Sequence, residues 1–362
     1  MALNNMPPMR RSRALAALAL VAAFAVAALA GCGGDSGTST DSSQDAAESR
    51  PAPPKSDFPD TEGKTLAQVV EAAAGPSTLV VSPAAKVFYE GVNRYPFGVF
   101  ERDGSQVGDA KVALYFARVP LKKGTAAGTD REKEALDEAL DQPAVGPHPA
   151  AIESIETQPA FRAMTTTDDP DAATAAYTTH VDFPQDGEWR IVALIEEDGE
   201  LRSSLLPSAS VGAFARVPKP GEKAPLIHTP TPEDVGGDLS KITTRIPPDT
   251  QNEVDYADVL GKEPIVLLFA TPQFCQSRVC GPVADVTEQV KQLYGDKARF
   301  IHMEIYKDND PGKGVRPQVR AFHLPSEPWL FAIDQSGRIE AEIEGAFGVE
   351  ELTRTVKGLI GE

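Results

Sequence analysis

Residues 264–283 read PIVLLFATPQFCQSRVCGPV, and this stretch decides the fold of the C-terminal part of the chain. Its first seven residues, Pro264 to Ala270, form a continuous apolar run, which is typical of a strand covered on both faces. Residues Pro282 to Tyr294 carry apolar side chains at helical spacing, and proline suits the first turn of a helix. Cys275 and Cys280 therefore lie between a buried strand and the start of a helix.

The residues that follow predict the element order β-α-β-α-β-β-α. The further predicted elements are a strand, a short helix, two hairpin strands and a terminal helix, at Ala298–Tyr306, Pro317–His323, Trp329–Ile333, Ile339–Ile343 and Val349–Ile360. This order resembles the thioredoxin-like fold from Gly221 to the C terminus. Residues 221–225 (GEKAP) also resemble the opening of peroxiredoxin-type and membrane-anchored thioredoxin-like domains. We therefore expect an α/β thioredoxin-like domain at 239–362, preceded by a linker and domain entry at 217–238.

This resemblance implies a redox role for the two cysteines. Cys275 would attack, because it lies nearer the family's first-cysteine position after the strand, and Cys280 would resolve. A helix N-terminus favours the thiolate, which is the attacking species, and Cys280 could lie closer to that N-terminus, so the opposite assignment stays open. Pro328 follows Glu327 just before a hairpin strand, where the family has a cis-proline packed against the cysteines. Pro328 and Phe274, which stands where thioredoxins have Trp, are thus expected to shape the substrate groove. No cofactor is expected.

The cysteine spacing departs from the family, which has two residues between its cysteines instead of four. Residues five apart on a continuous helix point roughly 140° apart and cannot bridge, so a disulfide requires residues 276–279 to form a loop. The strand Pro264–Ala270 also lacks the buried acid that thioredoxins use for proton transfer. Asp285 or Glu288 could take the place of this acid, but both are better interpreted as solvated helix-face residues. Slow general reductase activity is the expectation.

Two other functions remain open. A cysteine pair in a lipid-anchored thioredoxin-like domain also resembles Sco-type copper-assembly proteins, and thiolates with histidine suit copper(I). The candidate ligands would be Cys275, Cys280, His302 and His323, although both histidines are better interpreted as ordinary half-buried or surface residues. The third possibility is a non-enzymatic binding or scaffold lipoprotein in which the disulfide only pins its loop.

The N-terminus predicts export and lipid anchoring. Basic residues at 10, 11 and 13 precede an Ala-rich apolar run that ends in Leu29-Ala30-Gly31-Cys32. These four residues resemble the lipobox of bacterial lipoproteins, which implies a signal peptide at 1–31 and lipidation of Cys32. Residues 32–60 are interpreted as a flexible acidic tether. The expected location is the extracytoplasmic side of the cell membrane, where disulfides persist.

Residues 61–216 predict a β-sandwich, because short β-rich segments alternate with turn signals. Trp189, Ile191, Ala193 and Ile195 alternate along one strand and should share a face. The phrase from Phe183 to Ile195 resembles extracytoplasmic immunoglobulin-like modules.

Composition excludes some partners. The chain has 53 acidic against 35 basic residues, a formal net charge of −18, so phosphate backbones repel it and nucleic-acid binding is not expected. The expected partners are extracytoplasmic protein thiols and disulfides. The leading prediction is a membrane-anchored thioredoxin-like protein in thiol–disulfide exchange or redox homeostasis.

Overall fold

The computed structural model describes residues 48–122, 125, 128–275 and 277–362. The predicted signal peptide, Cys32 and the first part of the predicted tether lie outside these residues. Within the described ranges, no helix is long and apolar enough to cross a membrane.

The N-terminal half consists mainly of β-strands. Its strands are β1 (Val80–Pro83), β2 (Gly91–Phe100), β3 (Val112–Arg118), β4 (Val145–Pro149), β5 (Ala151–Ser154), β6 (Ala175–Phe183), β7 (Gly187–Glu197) and β8 (Glu200–Val211). Its short helices are α1 (Leu66–Glu71), α2 (Asp130–Glu138) and α3 (Met164–Thr167). Helix α1 begins with a capping box, in which Thr65 and Gln68 satisfy each other's backbone N–H groups.

These strands form two antiparallel sheets, with strand orders β1-β2-β6-β5 and β4-β3-β7-β8. Buried side chains from both sheets share one core, in which Tyr95 and Phe183 of the first sheet meet Phe116 of the second. The predicted alternation on β7 is confirmed, because Trp189, Ile191, Ala193 and Ile195 all lie in this core.

The C-terminal half confirms the predicted element order. It contains α4 (Tyr256–Val259), β9 (Ile265–Ala270), α5 (Cys280–Tyr294), β10 (Arg299–Glu304), α6 (Pro317–Ala321), β11 (Trp329–Ile333), β12 (Ile339–Glu344) and α7 (Val349–Ile360). The sheet order is β10-β9-β11-β12, with β9 parallel to β10 and antiparallel to β11. Helices α5 and α7 cover one face, and α4 and α6 cover the other. All six residues of β9 are consequently buried.

Both connecting segments are tied to a sheet. Gly221 donates its N–H to the carbonyl of Ile339 at 2.8 Å, so the start of the predicted domain entry runs along β12. At the end of the predicted tether, Arg50 and Ile152 exchange backbone hydrogen bonds, and Phe58 is buried. The described residues from 48 onward accordingly belong to one compact unit.

Candidate redox site

Cys275 and Cys280 form a disulfide, with their Cα atoms 5.8 Å apart. Residues 277–279 are not helical, as the bridge requires, and Arg278 turns the chain with a positive φ of 59°. Helix α5 begins at Cys280, so Pro282 lies in the first turn, where its missing N–H costs no helical hydrogen bond.

The two sulfurs have different environments. Cys280 is fully buried, whereas Cys275 is half-buried, so of the two cysteines only Cys275 has any part exposed to a reagent. The N–H of Cys280 donates to Sγ of Cys275 at 3.3 Å, and the Ser277 hydroxyl donates to the same sulfur at 3.2 Å. Hydrogen bonds to sulfur favour its charged form, so these two donors would stabilise a Cys275 thiolate once the bridge is reduced.

The residues predicted to shape a groove lie near this loop. The Glu327–Pro328 peptide is cis, and Pro328 is buried with its carbonyl accepting from the Gly345 N–H at 3.0 Å. The neighbouring Trp329 pairs with Phe269, which places Pro328 at the end of β9 from which the cysteine loop departs. Phe274 is half-buried, with its ring 6.4 Å from that of Tyr306.

The interpretation of Asp285 as a solvated residue was wrong. Asp285 is buried on α5, where its carboxylate accepts from Nε of Arg245 at 2.9 Å and from the N–H of Ala163 at 3.1 Å. Burial raises the pKa of Asp285, and the guanidinium of Arg245 opposes that rise. The helix pattern could not show this, because the covering residues come from distant loops. Glu288 is half-buried and accepts from Thr250.

His302 is likewise not a surface or half-buried residue. It is fully buried on β10, with Nδ1 2.8 Å from the Asp249 carboxylate and Nε2 3.2 Å from the carbonyl of Ala270. Burial alone would lower the pKa of His302, but the charge and hydrogen bond of Asp249 raise it to about 9. A protonated imidazole donates from both nitrogens, which satisfies both acceptors.

The copper ligand set is not brought together. Both ring nitrogens of His302 are engaged, while His323 is exposed with Nε2 3.4 Å from Nη2 of Arg216. Across the part of the chain that the structure describes, no group of three or more His, Cys, Asp or Glu side chains could hold a metal ion. The described donor set therefore does not favour the copper alternative.

Sequence analysis missed the residues of the N-terminal half that lie against the cysteine loop. The Arg278 guanidinium is 2.8 Å from the Asp171 carboxylate, and Ala173 donates its N–H to the carbonyl of Arg278 at 3.2 Å. The sequence offered one indirect signal for these contacts. Four residues separate the cysteines instead of the usual two, and one of the four, Val279, is apolar.

Comparisons with known proteins find no matching protein-family model and no matching curated protein sequence. Among solved structures, the chain is similar to a protein described as the thiol:disulfide interchange protein DsbE from Chlorobium tepidum, with a TM-score of 0.30 and 17% identity over 40% of this chain and 99% of that one. A thioredoxin-family thiol:disulfide interchange protein from Chlorobium tepidum TLS gives 0.28 and 19% over 40% and 97%. A thioredoxin-like superfamily protein gives 0.25 and 18% over 31% and 89%. Scores this low carry no argument about function, so the function is inferred from the geometry of the cysteine site.

Proposed function

We propose that the chain performs thiol–disulfide exchange through Cys275 and Cys280. The observation that carries this proposal is the asymmetry of the two sulfurs, one half-buried with two hydrogen-bond donors and one fully buried. An external thiolate would attack Sγ of Cys275, forming a mixed disulfide and releasing Cys280 as a thiolate. In the reverse direction the Cys275 thiolate attacks an external disulfide, and Cys280 then resolves the mixed disulfide.

The setting of this activity is part of the proposal. Cleavage after residue 31 and acylation of Cys32 would hold the protein on the extracytoplasmic face of the cell membrane, with the residues between Cys32 and Arg50 as a tether. The four-residue lipobox pattern and the apolar run before it support this. The two-sheet half would belong to the immunoglobulin-like sandwiches, which the shared core between its sheets supports.

Trapping with a Cys280→Ser variant tests the exchange. This variant keeps the accessible sulfur and lacks the resolving one, so it should accumulate mixed disulfides at Cys275 that intact-mass measurement identifies. The matched control is Cys275→Ser, whose remaining thiol is buried and should accumulate few adducts. Alkylation of the reduced wild type should reach half its maximal rate below a pH of about 8.5, because two donors favour the thiolate. Equal and negligible trapping by both variants would contradict the proposal.

A structural disulfide is the second candidate, because the loop is packed against the N-terminal half through buried Val279. The reduction potential separates the two functions. A value below about −300 mV favours a structural bridge, and a higher value favours an exchanging pair.

A further inference from the structure

The cysteine loop is covered by the N-terminal half of the same chain. Val279 is buried in a cluster with Ile155 and Ala176 of that half. The ion pair between Arg278 and Asp171 lies at the edge of this cluster. Since Val279 and Arg278 make these contacts, the N-terminal half forms a wall beside the loop, while Ser277 and Arg278 remain exposed.

A second set of contacts holds the two halves together next to the loop. Arg94 on β2 forms two hydrogen bonds with the Glu351 carboxylate, at 2.6 and 2.8 Å. The same guanidinium donates to the carbonyls of Glu344 and Ala346, at 3.0 and 2.6 Å. Planar, bidentate pairing of this kind fixes relative orientation as well as adding energy. The cover is therefore firmly attached.

Two cavities remain beside the loop, of about 400 Å³ and about 320 Å³. Ser277, whose hydroxyl lies 3.2 Å from Sγ of Cys275, lines both of them. Pro83 and Ala84 of the N-terminal half also line both. Their volumes lie near the lower end of the roughly 300–1,000 Å³ typical of small-molecule pockets.

We infer that the substrate of this site is a low-molecular-weight thiol or its disulfide, admitted through these cavities, and not a thiol within a protein chain. The inference rests on the proposed function and narrows its substrate class. A cysteine within a peptide brings flanking residues that extend about 3.3 Å each along the chain, and these would collide with the N-terminal half. A small thiol brings no such flanks.

The full cycle balances with two molecules of the small thiol. The first thiolate attacks Sγ of Cys275, and Cys280 leaves and takes up a proton. A second thiolate attacks the sulfur of the bound thiol, so that the small disulfide departs and Cys275 becomes a thiol. The protein gains two electrons and two protons, and the two small thiols lose them.

The test compares the opening of the disulfide by free L-cysteine and by an unstructured Gly/Ser peptide with one central cysteine. Alkylation of the released thiols and mass measurement follow the reaction, and each rate is divided by that thiol's rate with a small unhindered disulfide. In the full chain, the normalised rate for cysteine should exceed that for the peptide by at least about tenfold. This ratio corresponds to about 1.4 kcal/mol of additional activation free energy for the peptide.

A loosened variant, Ile155→Ala with Asp171→Asn, tests whether the cover formed by the N-terminal half causes the difference in rate between cysteine and the peptide. It removes buried packing and one ion pair from the cover and changes no residue of the cysteine loop itself, so the ratio should fall to about threefold or less while the cysteine rate stays within about threefold. Asp168→Asn is the matched control and should leave the ratio unchanged, since the described structure gives the Asp168 side chain no partner. If the double variant fails to fold, Asp171→Asn alone should still lower the ratio.

The outcomes separate the two proposals. Equal normalised rates in the wild type would overturn the small-thiol inference and leave thiol–disulfide exchange standing. Failure of both thiols to open the bridge, in the wild type and in the loosened variant, would overturn both in favour of a structural bridge.

Discussion

The buried pair of His302 and Asp249 should make the stability of this protein fall as the pH rises above neutrality. The pKa of His302 is raised to about 9 in the folded chain, against about 6.5 when unfolded. Each unit of difference corresponds to about 1.4 kcal/mol, so the protonated pair contributes about 3 kcal/mol to the free energy of unfolding. Because the folded pKa is the higher one, this contribution is fully present below a pH of about 6.5 and is lost as the pH rises through about 9.

Urea denaturation at a series of pH values between these limits measures the effect, with the disulfide kept intact. A second group acts in the same direction, because burial raises the pKa of Glu342 to about 8 and its ionisation then costs stability. Asp249→Asn serves as the reference, since it keeps the size of the side chain, removes the charge that protonates His302, and leaves Glu342 unchanged. The difference between the wild-type and variant profiles should therefore isolate the contribution of His302.

A difference profile that is flat, or that rises with pH, would refute this reasoning. If Asp249→Asn does not fold, the titration of the His302 ring in the wild type, followed by NMR, answers the same question. A midpoint at or below about 6.5, the value for a free side chain, would mean that Asp249 does not hold the proton on the ring.

Three further predictions concern the contact between the two halves, the linker that joins them, and the membrane anchor. Arg94→Ala should lower the free energy of unfolding by about 2–4 kcal/mol in urea denaturation, because it leaves the Glu351 carboxylate unpaired. Glu351→Gln should lower it by less, since Arg94 keeps its two carbonyl acceptors. Equal losses for the two variants would contradict this prediction. Limited proteolysis should leave one resistant fragment in which residues 217–238 are intact, and early cleavage there would mean that the two halves separate. Cys32→Ala should release the protein from the membrane fraction, whereas retention after a high-salt wash would indicate a different anchor.

Much of the C-terminal half could be predicted because its signals are local. The apolar run of β9, the helical spacing of α5 and the turn residues of the final hairpin each act within a few residues, and their order limits the possible topologies. The requirement that residues 276–279 leave the helix came from bond geometry alone. The same reasoning identified the cysteines without any knowledge of their surroundings.

The buried charges could not be predicted, because their partners are distant in sequence. Asp285 and Arg245 are 40 residues apart, and His302 and Asp249 are 53 residues apart. A helix pattern classifies an acid as exposed by default, since an unpaired buried charge is very costly. Only the folded structure shows that the loop carrying Arg245 and Asp249 supplies the missing partners.

The unusual cysteine spacing and the covered loop are two aspects of one arrangement. With four residues between the cysteines, Ser277 contributes a hydroxyl to the sulfur, Arg278 reaches Asp171, and Val279 fills the cluster between the two halves. A loop with two intervening residues would lack at least one of these groups. The longer loop thus carries contacts that join it to the N-terminal half. The contacts that join this loop to the N-terminal half are also the contacts that would limit which thiols reach the site.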